Sequence, residues 1–237
     1  CLGVCVVTIG LSEIDRTAAL AADAPHPTAE KILKATGVQG GLVVHVGCGD
    51  GKLIADFAVR DGFLVQGLES DPALVEQARA HLLATGRYGT TSVDRLRGSR
   101  LPFIDNHVNL VVAEDLGEVT MDEVIRVLCP LGVAYIKQDG RWTKTVKPRP
   151  DNIDEWTHYL YDSTGNAVAK DEVVGPPRQL QWIGSPRWSR HHDRMASMSA
   201  LVSASNRLFY IMDEGSRISI QLPSKWTLVA RDAFNGV

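Results

Sequence analysis

The chain has 237 residues, 44% of them hydrophobic and 22% charged, with a formal net charge of −3. Those proportions exclude a wholly disordered chain, and 21 glycines with only 4 cysteines exclude collagen-like and disulfide-scaffold classes. The near-neutral balance gives no reason to expect nucleic acid as a partner. The charge is uneven, however. Residues 1–176 carry 17 Lys+Arg against 24 Asp+Glu, and residues 177–237 carry 8 against 4. All five tryptophans (Trp142, Trp156, Trp182, Trp188 and Trp226) follow residue 141. Two pieces of different construction are expected, joined near Lys147-Pro148-Arg149-Pro150, where the prolines fix φ and remove donors.

Residues 1–24 read as the remnant of an export signal. Cys1–Leu11 is apolar but too short to span a membrane, and Ala18–Ala22 supplies the small residues of a cleavage site. The expectation is an N-terminal fragment of an exported protein, periplasmic or extracellular, with a cytoplasmic location as the alternative. No C-x-x-C pair exists, so no zinc site or redox dithiol is expected, and Cys48 and Cys129 read as buried thiols.

From residue 25 to 147 strands and helices alternate. Residues 41–46 are a short apolar run ending in a glycine loop, as buried parallel strands do. A helix follows over 52–60, then a strand over 63–68. Asp71-Pro72 opens a second helix, with Asp as cap and Pro at its first position, running to about Leu83 before Gly86. A weaker strand falls near Thr91–Val93 and a firm one at 108–113. Thr120-x-x-Glu123 reads as a capping box for a helix through Leu128, ended by Pro130 and Gly132. Val133–Ile136 is a further strand. This order predicts an α/β fold, a Rossmann-like doubly wound parallel sheet, with ligands at the carboxyl ends of its strands.

The loop after the first strand reads Gly47-Cys48-Gly49-Asp50-Gly51-Lys52. It fits neither G-x-G-x-x-G, whose third glycine would fall on Lys52, nor a Walker loop. Glycines here permit positive φ and close approach of a ligand, and the helix beyond offers unpaired N–H groups. Glu69 ends the second strand, 22 residues after Gly47, where an acid can accept both hydroxyls of a ribose.

With those pieces in place, residues 30–137 resemble a class I S-adenosylmethionine-dependent methyltransferase domain. The resemblance rests on Val44–Gly51, Gly67–Pro72, Leu101–Asn106 with Val108–Asp115, and Arg126–Gly132. It implies S-adenosylmethionine as cofactor, an unknown methyl acceptor, and a cofactor-binding set of His45, Gly47, Gly49, Asp50, Gly51, Glu69 and Asp94. Three positions depart from the family pattern. His45 stands where an acid is usual, and a neutral imidazole supplies no fixed negative charge to the ligand's ammonium. Asn109 stands where aspartate is common, and Leu131 where a second glycine is common. Glu114-Asp115 lie where the family often contacts substrate, with two solvated loop acids as the competing reading. The family's closing antiparallel hairpin is expected to be missing, because the chain turns Pro- and Trp-rich after residue 141.

Residues 148–237 read as a Trp-rich β segment. Leu208–Met212, Ile218–Leu222 and Trp226–Ala230 are β-type runs, with turns at Asp213–Ser216 and Asp232–Gly236. They resemble strands of a quinoprotein-like (PQQ-type) β-propeller, of which one blade cannot bury its own faces. The clusters Asp154–His158 with Asn166, and Trp188–Arg194 with His191 and His192, read as structural or surface features. Two functions stand side by side. One is a methyltransferase acting on an unknown acceptor. The other is a non-catalytic module of the same fold in an exported propeller protein. A quinone-dependent dehydrogenase is a third and weaker reading.

Overall fold

The structure is a computed structural model, describing residues 28–58, 61–173, 175–176, 180–185, 198–219 and 221–237. The expected export signal, with Cys1 and Cys5, and the Trp188–Arg194 cluster lie outside the described residues.

The first sheet is built on apolar runs too continuous for anything but a strand covered on both faces. In β1 (Gly41–Val46), Val43, Val44 and Val46 are buried, and so are five of the six residues of β4 (Val108–Ala113), all but Asn109. These two lie side by side and parallel at the centre. With β2 (Phe63–Glu69), β3 (Thr91–Arg95), β5 (Leu128–Gln138) and β6 (Arg141–Val146) they form a six-stranded sheet in the order β3-β2-β1-β4-β5-β6. Every pairing is parallel except β5 with β6. One face packs against α1 (Ala29–Thr36), α2 (Lys52–Phe57) and α3 (Pro72–Ala84) through Ile32, Ile54, Phe57 and Leu82. The other packs against α4 (Met121–Val127) through Val124, Val127 and Leu101.

Local chemistry sets the helix ends. The Thr28 side chain accepts from Lys31 N, Asp71 accepts from Ala73 N at 2.8 Å with Pro72 following, and Gly37 closes α1 in the left-handed region. The expected capping box is half present. Thr120 accepts from Glu123 N at 3.3 Å, but the Glu123 carboxylate turns elsewhere, to Leu101 N at 2.7 Å and to Arg126.

Four expectations need correction. Leu128 belongs to β5, not to the helix, and Pro130 and Gly132 lie inside that strand. The strand tolerates them through a bulge, where pairing with β4 shifts register and Leu131 takes φ 64. The antiparallel hairpin is present: β6 pairs back on β5 across Asp139-Gly140, at φ 49 and 76, the signature of a type I′ turn. Helix α2 ends at Phe57, short of residue 60. The described residues of Ile218–Leu222 form no strand, because Ser216 and Ser219 capture nearby amides. Ile218 N donates to Ser216 Oγ and Gln221 N to Ser219 Oγ.

The second sheet is an antiparallel meander of β7 (Met198–Ala204), β8 (Arg207–Asp213) and β9 (Trp226–Asp232). Its closing turn docks on the amino-terminal edge of the first sheet. Asn109 Nδ2 donates to Asp232 Oδ2 at 2.8 Å, and Asn235 Nδ2 donates to Asn109 Oδ1 at 2.6 Å and His107 O at 2.9 Å. Asn206 Nδ2 donates to Pro130 O at 2.7 Å. Trp182 covers the turn from outside, its Nε1 donating to Ala233 O at 3.0 Å. Within the Asp154–His158 segment, Asp154 accepts from Tyr161 Oη and Lys170 N within its own loop, while Trp156 N donates to Ser203 Oγ at 2.7 Å and Glu155 Oε1 accepts from Ser205 N at 2.7 Å, which ties the loop to the second sheet. No described helix is long and apolar enough to cross a membrane.

Candidate functional site

The carboxyl ends of β1, β2, β3 and β4 converge where the chain runs from Gly47 to Gly51. Gly47 N and Cys48 N both donate to Leu68 O, at 2.8 and 3.2 Å, which pins the loop to the end of β2. Gly51 has φ 81, and a Cβ there would stand 2.9 Å from Ala78 Cβ, so glycine lets α2 close on α3. Gly49 is different. It needs positive φ (54) but has open space around it. Cys48 is buried beneath the loop. Burial, then the negative charge of Glu69, pushes its thiol up to about 12, so it stays neutral and serves as packing.

Glu69 is only 7% exposed and spans the loop and the start of α3. Its Oε2 accepts from Gly49 N at 2.9 Å, and its Oε1 accepts from Ser70 N at 2.8 Å and Asp71 N at 3.2 Å. The acid at the strand end thus fixes the shape of the glycine loop. Asp50 pairs with Lys52 Nζ at 2.6 Å at the loop's outer rim.

Two clefts meet at Gly47. The first, of about 460 Å³, is walled by Thr28, His45, Leu53, Asp56 and Glu114 beside the glycine loop. The second, of about 520 Å³, is walled by Ser70, Arg95, Arg97, Asp115 and Glu118. His45, 5% exposed, contributes to the first from the end of β1. Glu114 pairs there with Lys137 Nζ at 3.1 Å, and Asp115 stands across in the second cleft, accepting from Gly117 N at 2.9 Å.

Six of the seven sequence-predicted residues (His45, Gly47, Gly49, Asp50, Gly51 and Glu69) are therefore brought together. Asp94 is not. Arg79 Nη2 and Gln66 Nε2 hold its carboxylate at 3.3 and 3.0 Å, and it faces a third cleft between α3 and β3. Thr28, Asp56, Ser70, Arg95 and Arg97 went unnoticed in the sequence. The last three follow β2 or end and follow β3, so the rule that ligands sit beyond strand carboxyl ends points to them. Thr28 and Asp56 carry no such local signal.

Residues 43–132 match a family model described as a methyltransferase domain. No curated protein matches the chain. Among solved structures, a SAM-dependent methyltransferase from Aquifex aeolicus is similar at 21% identity and TM-score 0.42, covering 46% of this chain and 62% of that one. A geranyl diphosphate C-methyltransferase from Streptomyces coelicolor, solved with Mg2+, geranyl diphosphate and S-adenosyl-L-homocysteine, is similar at 20% identity and TM-score 0.42, covering 46% and 43%. The matched region spans about half the length of such structures. Residues 43–132, which match the methyltransferase-domain model, thus lie in the Rossmann-like α/β sheet, and a separate three-stranded antiparallel sheet follows.

Proposed function

We propose that this domain binds S-adenosylmethionine and directs methyl transfer to an acceptor not yet identified. The observation that carries the reading is the pair of clefts meeting at Gly47, one on each side of a positive-φ glycine loop at the carboxyl ends of the strands. A cofactor with an amino-acid end and a nucleoside end fits such a pair, and the lack of side chains at Gly47 and Gly49 leaves the backbone approachable. Gly47, Gly49, Asp50 and Gly51 frame the amino-acid end, with His45 behind them. Ser70, Arg95 and Arg97 frame the nucleoside end. Glu69 reaches a ribose if Oε2 exchanges the Gly49 amide for a hydroxyl. Asp94 is left out of the set while Arg79 holds it. When bound, S-adenosylmethionine supplies a methyl group activated by a sulfonium centre. The chain's own contribution is alignment and exclusion of water.

Calorimetry on the full chain with S-adenosyl-L-homocysteine tests this. Saturable binding supports it, and no binding at millimolar ligand overturns it. A second reading, a non-catalytic module of the same fold, is favoured by the Glu69 carboxylate, whose two oxygens already accept three backbone amides. In that reading the glycine loop is architecture only. We further read the β7–β9 meander as one blade of a PQQ-type β-propeller, and the protein as exported. The exposed apolar residues Ile211 and Leu228, paired on one face of the meander, fit a sheet that needs neighbours.

A further inference from the structure

We infer that Asn235-Gly236 is a deamidation site gated by the docking of the second sheet: the seated turn protects it, and the released turn converts to a form that no longer seats. Of the six asparagines in the chain, only Asn235 is followed by glycine, whose missing side chain leaves the next amide nitrogen unobstructed. In the reaction Gly236 N attacks Asn235 Cγ and gives up its proton. The side-chain nitrogen leaves as ammonia, and water opens the cyclic imide to aspartate or isoaspartate. Water is the sole co-reactant, and nothing is oxidised or reduced.

The docked geometry holds every atom of that reaction in place. Asn235 is 9% exposed. Its Nδ2 donates to Asn109 Oδ1 at 2.6 Å and to His107 O at 2.9 Å, and its Oδ1 accepts from Val237 N at 3.2 Å. Gly236 N, the attacking atom, donates to Asp232 O at 2.9 Å. The Trp182 ring lies so close over Gly236 that a Cβ built there would strike it. Attack therefore requires the turn to leave its seat first. The product cannot return to it. A carboxylate at 235 has no donor for Asn109 Oδ1 or His107 O, and both acceptors are left unpaired. It also adds a negative charge beside Asp232, which already accepts from Phe234 N and Asn235 N through Oδ1 and from Asn109 through Oδ2. Release of the second sheet from the first thus becomes irreversible once the asparagine has reacted.

Peptide mass spectrometry of the full chain, incubated in mildly alkaline buffer either folded or in guanidinium chloride, follows the mass gain of deamidation at residue 235. The folded chain is expected to convert at least about tenfold more slowly than the denatured one, because only its locally open fraction reacts. Asn109→Ala removes two docking bonds and is expected to speed conversion in the folded chain while leaving the denatured rate unchanged. Asn235→Asp reproduces the product. It is expected to speed hydrogen exchange of the Gly236 amide while the amides of β1 keep their protection. Equal conversion rates in the folded and denatured parent would overturn the gate, and no conversion in denaturant would overturn the site. Unchanged exchange at Gly236 in Asn235→Asp, or exchange raised equally throughout β1, would overturn the switch.

Discussion

Asn109 on the central strand β4 and Asp232 at the end of β9 share a hydrogen bond of 2.8 Å, although 123 residues separate them. The bond gives a physical reason for asparagine at this position. The amide is used at both ends. Nδ2 donates to Asp232, while Oδ1 accepts from Leu42 N at 2.8 Å and from Asn235 Nδ2. An aspartate at 109 would face Asp232 with like charge and no donor. The meander is therefore seated on the methyltransferase-type domain by an interface that reads side-chain identity.

A double-mutant cycle follows from this. Asn109→Asp is expected to cost about 1–3 kcal/mol in chemical denaturation, the penalty for an unpaired and repelled polar group at a partly buried contact. Asp232→Asn in the same chain restores a donor opposite the new carboxylate, and most of the loss should return. Additive losses would show that the two side chains do not act as a pair.

The two inner glycines of the loop should differ. Gly51→Ala meets both positive φ and the Ala78 methyl at 2.9 Å, whereas Gly49→Ala meets only positive φ. The expected cost is about 1 kcal/mol for Gly49→Ala and about 2–4 kcal/mol for Gly51→Ala. Urea denaturation of both variants checks the order. Equal costs would mean that α2 moves off α3 freely.

Glu123 and Arg126 form a largely buried pair that also holds Leu101 N and Phe103 O beneath α4. Hydrogen bonds from Arg126, opposed by partial burial, keep the Glu123 carboxyl below its ordinary value. A lowered folded-state value means stability that is complete above the ordinary glutamate range and lost as pH falls through the lowered value. Glu123→Gln should cost about 1–2 kcal/mol at neutral pH, and the gap between variant and parent should close in acid. A gap constant down to pH 3 would contradict the assignment.

How much of this was legible depended on whether the signal was local. Val43–Val46 and Leu110–Ala113 announce themselves as buried strands because each is a dense apolar run, the first broken only by His45, and both strands match their expected bounds. Glu69 was legible from spacing alone, but its use was not. The side chain turns to Gly49, Ser70 and Asp71, a choice set by the folded loop. Strand β6 was missed because an edge strand can be polar: Arg141, Thr143 and Lys144 are exposed, and only the Trp142 ring stacks, on Tyr135 at 4.9 Å. Asp139-Gly140 was the available clue. Strand β5 was cut short because Pro130 and Gly132 read as helix stops, while a bulge makes them tolerable in a strand. The Asn109–Asp232 contact has no local signature at all.

In the proposed function the two clefts meeting at Gly47 act as one ligand site. Hydrogen exchange of backbone amides, with and without saturating S-adenosyl-L-homocysteine, tests it most directly. Added protection is expected in three stretches, at 47–52, 70–71 and 95–98, with the meander at 198–237 unchanged. Protection confined to the meander, or no change at any of those amides at millimolar ligand, would contradict it.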